Sequence, residues 1–351
     1  MTAFDDIIGH RHVLDLLSAE LVNPAQAYLF VGPGSVGKAA VAHRFAVALL
    51  CGADAGCLDR AMRRIHPDLM LIEPEGRASI TVDQARDVVA VASLAPLEAD
   101  LRVFLFEEGG MMNDEAASAL LKTLEEPSAG AVFIIVAESE DELPDTVASR
   151  CRTVVFGRVG EEELVTGLGG LGLDEDQARQ AARISGGRPG LALALATRPE
   201  VADFRRVWLS IPMRLPEHPG DAFRLAEEVL EAADPLLVAV KERHEEALAA
   251  EDGRDGRATR DRQARELRRA TDALLVTGLE ILASFYRDVA AAQFGGGVRN
   301  SDVPVTAFTK IAPATALSHA ERVLDTIDVL RAHQRPQLAF ATLFADLGSD
   351  G

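Results

Sequence analysis

Up to about residue 157, apolar residues cluster in short runs set between longer stretches of helical spacing. The runs Tyr28–Val31, Leu69–Ile72, Arg102–Phe106, Val132–Val136 and Thr153–Phe156 read as strands, and the Ala/Leu/Val-rich stretch from Ala39 to Leu50 reads as a helix. This alternation predicts a mostly parallel sheet covered by helices. From Glu161 to about Thr197 the pattern turns helical, broken by glycine-rich turns at Gly167–Gly172 and Gly186–Gly190. From Pro199 onward no strand periodicity remains. Long Ala/Leu/Glu/Arg segments follow, interrupted by Gly295-Gly296-Gly297 and Pro304. The expected division is an α/β domain over 1–158, a small helical lid over 159–198 and an all-α domain over 199–351. The charge-dense stretch Glu242–Arg269 has few apolar anchors and predicts a solvated helix pair, turning at Asp252-Gly253 to Asp255-Gly256.

A chain of 351 residues, 48% apolar and 26% charged, can bury the cores of two or three domains without metal or disulfide support. No run of 18 apolar residues occurs, and acid stands at Asp5-Asp6 where a signal peptide would need base. Cys51, Cys57 and Cys151 are too few for a disulfide framework and fit a reducing interior. The expected compartment is the cytoplasm, with no membrane partner. The formal charge of −19 argues against this chain gripping DNA by itself, because phosphate contacts need clustered Lys and Arg.

Chemistry enters at Gly32-Pro33-Gly34-Ser35-Val36-Gly37-Lys38-Ala39, placed between a predicted strand and a predicted helix. A phosphate-binding loop runs G-x-x-x-x-G-K-[ST]: backbone N–H groups approach phosphate oxygens, Lys neutralises charge and the hydroxyl binds Mg²⁺. Gly32, Gly34, Gly37 and Lys38 fit that pattern, but Ala39 puts a methyl group where the hydroxyl belongs. Loss of the hydroxyl weakens Mg²⁺ binding and hydrolysis more than bare phosphate contact, so ATP or ADP bound without turnover stays open. The strand Arg102–Phe106 ends in Glu107-Glu108, where an NTPase keeps its metal-orienting and water-activating acids. Glu107 is one methylene longer than the usual Asp, and Gly109-Gly110 then predict a flexible exit from the strand.

A helix follows over Asn113–Glu126, with Pro127 as its stop and the text Ala119-Leu120-Leu121-Lys122-Thr123-Leu124-Glu125-Glu126-Pro127; after the next strand comes Ser149-Arg150-Cys151. At these two motifs the chain resembles the AAA+ clamp-loader subunits of bacterial DNA polymerase III, over about residues 4 to 195. The resemblance implies a RecA-like AAA+ domain with a helical lid and a C-terminal helical collar that joins subunits. In that family the motor subunits (gamma/tau) have complete ATP sites, whereas delta-prime subunits share the fold with decayed ones. Ala39, Glu107, Gly109-Gly110 and Gly190, the last at the position of the lid's sensor arginine, make this chain similar to the decayed class. Ser139 stands near the first sensor position, and Arg188 reads as a surface helix cap.

The resemblance assigns Arg150 as an arginine finger offered to ATP in a neighbouring subunit. A planar guanidinium can donate two bonds to γ-phosphate oxygens, worth roughly 10³–10⁵ in rate in NTPases. It implies delta and gamma/tau subunits, the sliding clamp and primed DNA as partners in a hetero-pentamer, with little ATPase in this chain. Cys51-Gly52-Ala53-Asp54-Ala55-Gly56-Cys57 resembles part of the family's zinc module, with Asp54 in place of a Cys. His66 would have to supply a fourth ligand, and the reading is of an emptied relic. Two alternatives stay open: an ATP-hydrolysing gamma/tau-type subunit, and a non-replicative AAA+ adaptor.

Overall fold

The computed structural model describes residues 4–74, 79–126, 128, 130–238, 241, 256–331 and 334–349. The chain divides into two compact units, Met1–Leu193 and Ala194–Gly351.

The first unit is built on five strands: β1 (Ala27–Val31), β2 (Leu69–Ile72), β3 (Arg102–Phe106), β4 (Ala131–Val136) and β5 (Arg152–Val155). All pairings are parallel, in the order β2-β3-β4-β1-β5. The helices are α1 (Arg11–Glu20), α2 (Lys38–Cys51), α3 (Ala55–Met62), α4 (Val82–Ala92), α5 (Asp114–Glu125), the single turn α6 (Asp145–Ala148), α7 (Glu161–Gly170) and α8 (Glu175–Ser185). Successive strand residues point to opposite faces. Tyr28, Phe30, Val103, Leu105, Ile134 and Val136 therefore pack with Val41 and Phe45 of α2, while Leu29, Phe104, Phe106, Phe133 and Ile135 pack with Val88 of α4 and Leu120 of α5. β1, β3 and β4 are buried on both faces, which is why their text is apolar without alternation, whereas the edge strand β5 buries only Val154. This is the parallel α/β architecture expected from the sequence, with β1, β4 and β5 each beginning one residue earlier than predicted.

Local chemistry fixes the helix starts. Thr81 and Gln84 form a reciprocal capping box on α4, and the Asn113 side chain accepts from Ala116 N at 2.7 Å to open α5. Helix α5 ends at Glu125; its expected stop, Pro127, lies outside the described residues. The glycine turn predicted from Gly167 is displaced, because α7 continues to Gly170. Gly167 serves packing instead: a Cβ there would meet Ile8 Cγ2 at 2.5 Å.

Among the described residues the second unit is helical: the end of α9 (Pro189–Thr197), then α10 (Pro199–Ser210), α11 (Pro219–Glu231), α12 (Gly256–Gln293), the short α13 (Val305–Phe308), α14 (Pro313–Arg331) and α15 (Pro336–Ser349). Its core gathers Phe204, Trp208, Leu279, Leu282, Phe285, Tyr286, Phe308, Phe340 and Phe344. Gly278 lets the Trp208 indole lie on α12, since a Cβ would come within 2.1 Å of the ring. Of the predicted helix pair, 242–255 lies outside the described residues, and Gly256 begins a 38-residue helix instead of closing a turn.

A buried ion pair braces the amino ends of β2 and β3. Asp68, with no exposed surface, accepts from the backbone N–H groups of Leu97, Glu98 and Ala99 at 2.7, 2.8 and 3.0 Å, and from Nη2 of the buried Arg102 at 3.0 Å. Burial pushes its carboxyl upward, but these donors together hold it below the usual carboxylate range. A depressed folded pKa gives stability that is present above the unfolded value of about 3.9 and lost as pH falls through the lower folded one. Asp68→Ala leaves Arg102 buried without its partner and is expected to cost about 3–5 kcal/mol. Urea denaturation at pH 7 measures this, and the variant should lose less stability than wild type on acidification.

Candidate functional site

The parallel register sorts the candidate residues onto opposite ends of the sheet. At the carboxyl ends, β1 runs into the 32–37 loop and Lys38 opens α2. Gly32 (φ 146°) is required by contact, since a Cβ would lie 2.1 Å from the Phe156 carbonyl oxygen. His10, buried and stacked edge-on to Phe156, holds the loop from outside through Nε2 at 2.8 Å from Val36 O.

Lys38 turns back into its own loop. Its Nζ donates to Gly32 O at 2.6 Å and to Pro33 O at 2.7 Å, with the residue 7% exposed. Burial lowers the ammonium pKa, and the nearby Glu138 and Glu142 oppose that shift. The Glu138 carboxylate lies against the loop, where a Cβ on Gly34 would meet Oε1 at 2.9 Å. Its backbone binds there too: Glu138 O accepts from Gly32 N at 3.1 Å, and Glu138 N donates to Glu142 Oε2 at 2.8 Å.

One strand away, both oxygens of Glu107 are taken by Arg64, through Nη1 at 2.9 Å and Nη2 at 2.7 Å. Arg64 adopts a left-handed backbone (φ 62°) in the turn after α3, and Glu108 lies half-buried beside the pair. Ala39 follows Lys38 with no oxygen to offer. The residues present therefore do not fit a Mg²⁺-nucleotide: the hydroxyl is missing, the carboxylate is paired and a second carboxylate faces the loop.

The expected flexible exit after Glu108 is corrected. Gly109 is buried, and a Cβ would strike Ile135 Cγ2 at 2.2 Å, so the glycine permits close packing. Ser139 accepts from Asp141 N and caps a short 3₁₀ turn, 140–142. Arg188 is buried instead of exposed; its Nε donates to Ser185 O at 2.8 Å and so caps the end of α8. Gly190 lies in a helix with open space at its Cβ.

Arg150 lies at the opposite end. It precedes β5, and the register Tyr28↔Arg152 sets the start of β5 level with the start of β1, away from Lys38. Its guanidinium donates from Nη1 to Thr146 O at 2.6 Å and from Nη2 to Glu125 Oε1 at the end of α5. Cys151 turns inward against the sheet, where burial pushes its thiol up to about 12. It anchors the chain beside an exposed Arg150.

Reading the sequence missed Arg64, Glu125, Glu138 and Glu142. Glu138 carried a signal, as an acid immediately after the strand that runs beside the loop. Arg64 carried none, because its pairing depends on a turn that only the folded chain defines.

Residues 9–159 match the family model described as DNA polymerase III, delta subunit. The first unit belongs to the DNA polymerase III clamp-loader family. The chain is 38% identical to subunit delta' of Pseudomonas aeruginosa over 138 residues, 36% of this chain and 42% of that protein. It is 32% identical to subunit tau of Bacillus subtilis over 170 residues, 46% of this chain and 30% of that protein. Against subunit delta' of Bacillus subtilis it is 29% identical over 206 residues, 57% of this chain and 62% of that protein. The chain thus spans less than two thirds of each of these relatives' lengths. No helix among the described residues is long and apolar enough to cross a membrane.

The cysteine segment within the matched residues differs from expectation. Cys51, at the end of α2, and Cys57, on α3, are joined in a disulfide, with His66 beside them. Asp54 is not a ligand: its carboxylate caps α3, accepting from Cys57 N at 2.6 Å. Helix α3 folds back on α2 and brings the two sulfurs into bonding reach, which the spacing alone did not announce. Two sulfurs bonded to each other, one imidazole and a capping Asp do not fit a closed four-ligand zinc site. Thiol titration should find one reactive thiol, that of Cys151, after denaturation without reductant, and almost none in the folded protein at pH 8. Three thiols after denaturation would mean the pair is reduced.

Proposed function

We propose that this chain acts as a delta-prime-type subunit of the DNA polymerase III clamp loader, with little ATPase of its own. It would assemble with delta and gamma/tau subunits and present Arg150 to ATP held by a neighbour. The complex would use that hydrolysis to load the sliding clamp onto primed DNA.

The observation that carries this reading is the placement of Arg150 at the amino ends of parallel strands whose carboxyl ends hold the P-loop. Strands rise about 3.3 Å per residue, so the two ends are separated by roughly 10–15 Å. A guanidinium there serves a nucleotide on another chain, not its own. The state of the chain's own loop agrees, because Lys38 is spent on loop carbonyls and Glu107 on Arg64. The gamma/tau-type alternative requires both contacts to open, and hydrolysis of Mg-ATP by the isolated chain would favour it.

In a complex reconstituted with delta, gamma/tau, clamp and primed DNA, Arg150→Ala should slow hydrolysis at the served site by about 10³ while assembly by size exclusion is retained. Lys38→Ala should leave turnover unchanged. Wild-type rates for Arg150→Ala in an intact complex would sink the finger assignment. Failure of the wild-type chain to assemble would favour the adaptor reading.

A further inference from the structure

Glu125 stands where helix electrostatics does not want it. The carboxyl end of α5 carries partial negative charge, which favours cations, yet Glu125 and Glu126 both lie there. Solvated acids at such a position gain nothing for the helix. Glu125 instead reaches across to α6 and takes Nη2 of Arg150, while Nη1 of the same guanidinium is held by Thr146 O at 2.6 Å and Ser149 Oγ at 3.4 Å.

The backbone under Arg150 is fixed separately. Arg150 N donates to Val147 O and Cys151 N to Ala148 O, both at 3.1 Å, and the next side chain, Cys151, is half-buried against the sheet. What the backbone leaves loose is the four-torsion Arg side chain, the part with the most freedom to lose. A guanidinium has five N–H donors. The contacts described use both N–H groups of Nη1 and one of Nη2, and do not use Nε–H or the second N–H of Nη2.

Resting on the proposed trans-acting role of Arg150, we infer that Glu125 is a positioning residue that orients the Arg150 guanidinium toward a phosphate on a neighbouring subunit. Ordering the side chain beforehand removes its rotamer cost from the hydrolytic step, so the effect appears in kcat and not in ATP binding. The pair is too exposed for a large contribution to folding.

The test uses the reconstituted complex and follows the kinetic phase that Arg150→Ala slows, with assembly and thermal melting as controls. Glu125→Ala should lower its kcat roughly tenfold at unchanged KM for ATP. Glu125→Gln keeps an oxygen that accepts from Nη2 and should recover most of the rate, and Glu126→Ala should match wild type. Combined with Arg150→Ala, Glu125→Ala should add no further loss. A Glu125→Ala complex as fast as wild type overturns the inference, as does a faster one, which would make Glu125 a restraint. The same loss recurring in the Arg150→Ala background also overturns it, because the effect would then not pass through the guanidinium. If Arg150→Ala is itself silent, the trans-acting role fails and this inference with it; if only Glu125→Ala is silent, the role of Arg150 stands.

Discussion

The functional geometry of the first unit depends on the uniform parallel direction of its five strands. In such a sheet every strand delivers its following loop to one end and receives its preceding loop at the other. The glycine loop after β1, Glu107 after β3 and Glu138 after β4 therefore meet at one end. Arg150 before β5 and Glu125 before β4 meet at the other. No local contact could move Arg150 to its own P-loop without inverting β5, which is paired in parallel along β1.

At the P-loop end, the residue types of a nucleotide site are present but their charges are spent inside the chain. A bidentate guanidinium–carboxylate pair is among the stronger polar contacts available, about twice a neutral hydrogen bond. A cation seeking Glu107 must displace Arg64 first, and it finds a methyl group at Ala39 in place of a second oxygen. Lys38 is similarly engaged, and the carboxylate of Glu138 adds negative charge beside Gly34 of the loop. These are four obstacles, two at the start of α2 and one each after β3 and β4, so relieving one of them leaves the others.

Much of this organisation was legible in the chain. The central strands β1, β3 and β4 were visible because burial on both faces makes their text nearly continuously apolar, and the P-loop and Glu107 because their spacing is tied to strand and helix ends, whereas Arg150 was singled out by the family resemblance of its motif. Glycines misled where their role is contact: Gly109 and Gly167 resemble hinges in the text but give room to Ile135 and Ile8. Partnerships across the fold stayed hidden, since nothing local in Arg64 or Glu125 specifies a carboxylate or guanidinium from another element. The cysteines show the same limit. Their resemblance to a zinc module was read as an emptied relic, while the fold of α3 on α2 brings two of them into a disulfide and leaves Asp54 to cap a helix.

A glycine loop that has given up its metal chemistry still has structural work. Gly32 must lack a side chain because the carbonyl of Phe156, just past β5, occupies the space a Cβ would need. Phe156 N also donates to Val31 O at 2.7 Å, closing the same junction. Loop and β5 thus pack together at the carboxyl end, and the other end of β5 is the backbone that carries Arg150. The P-loop conformation, through Gly32, sets the seat of the strand that presents the exposed arginine, whether or not a phosphate is ever bound. The text of a nucleotide site can therefore outlast its chemistry: Lys38 donates to carbonyls of the loop itself, whereas Gly32 is held by the packing of the sheet.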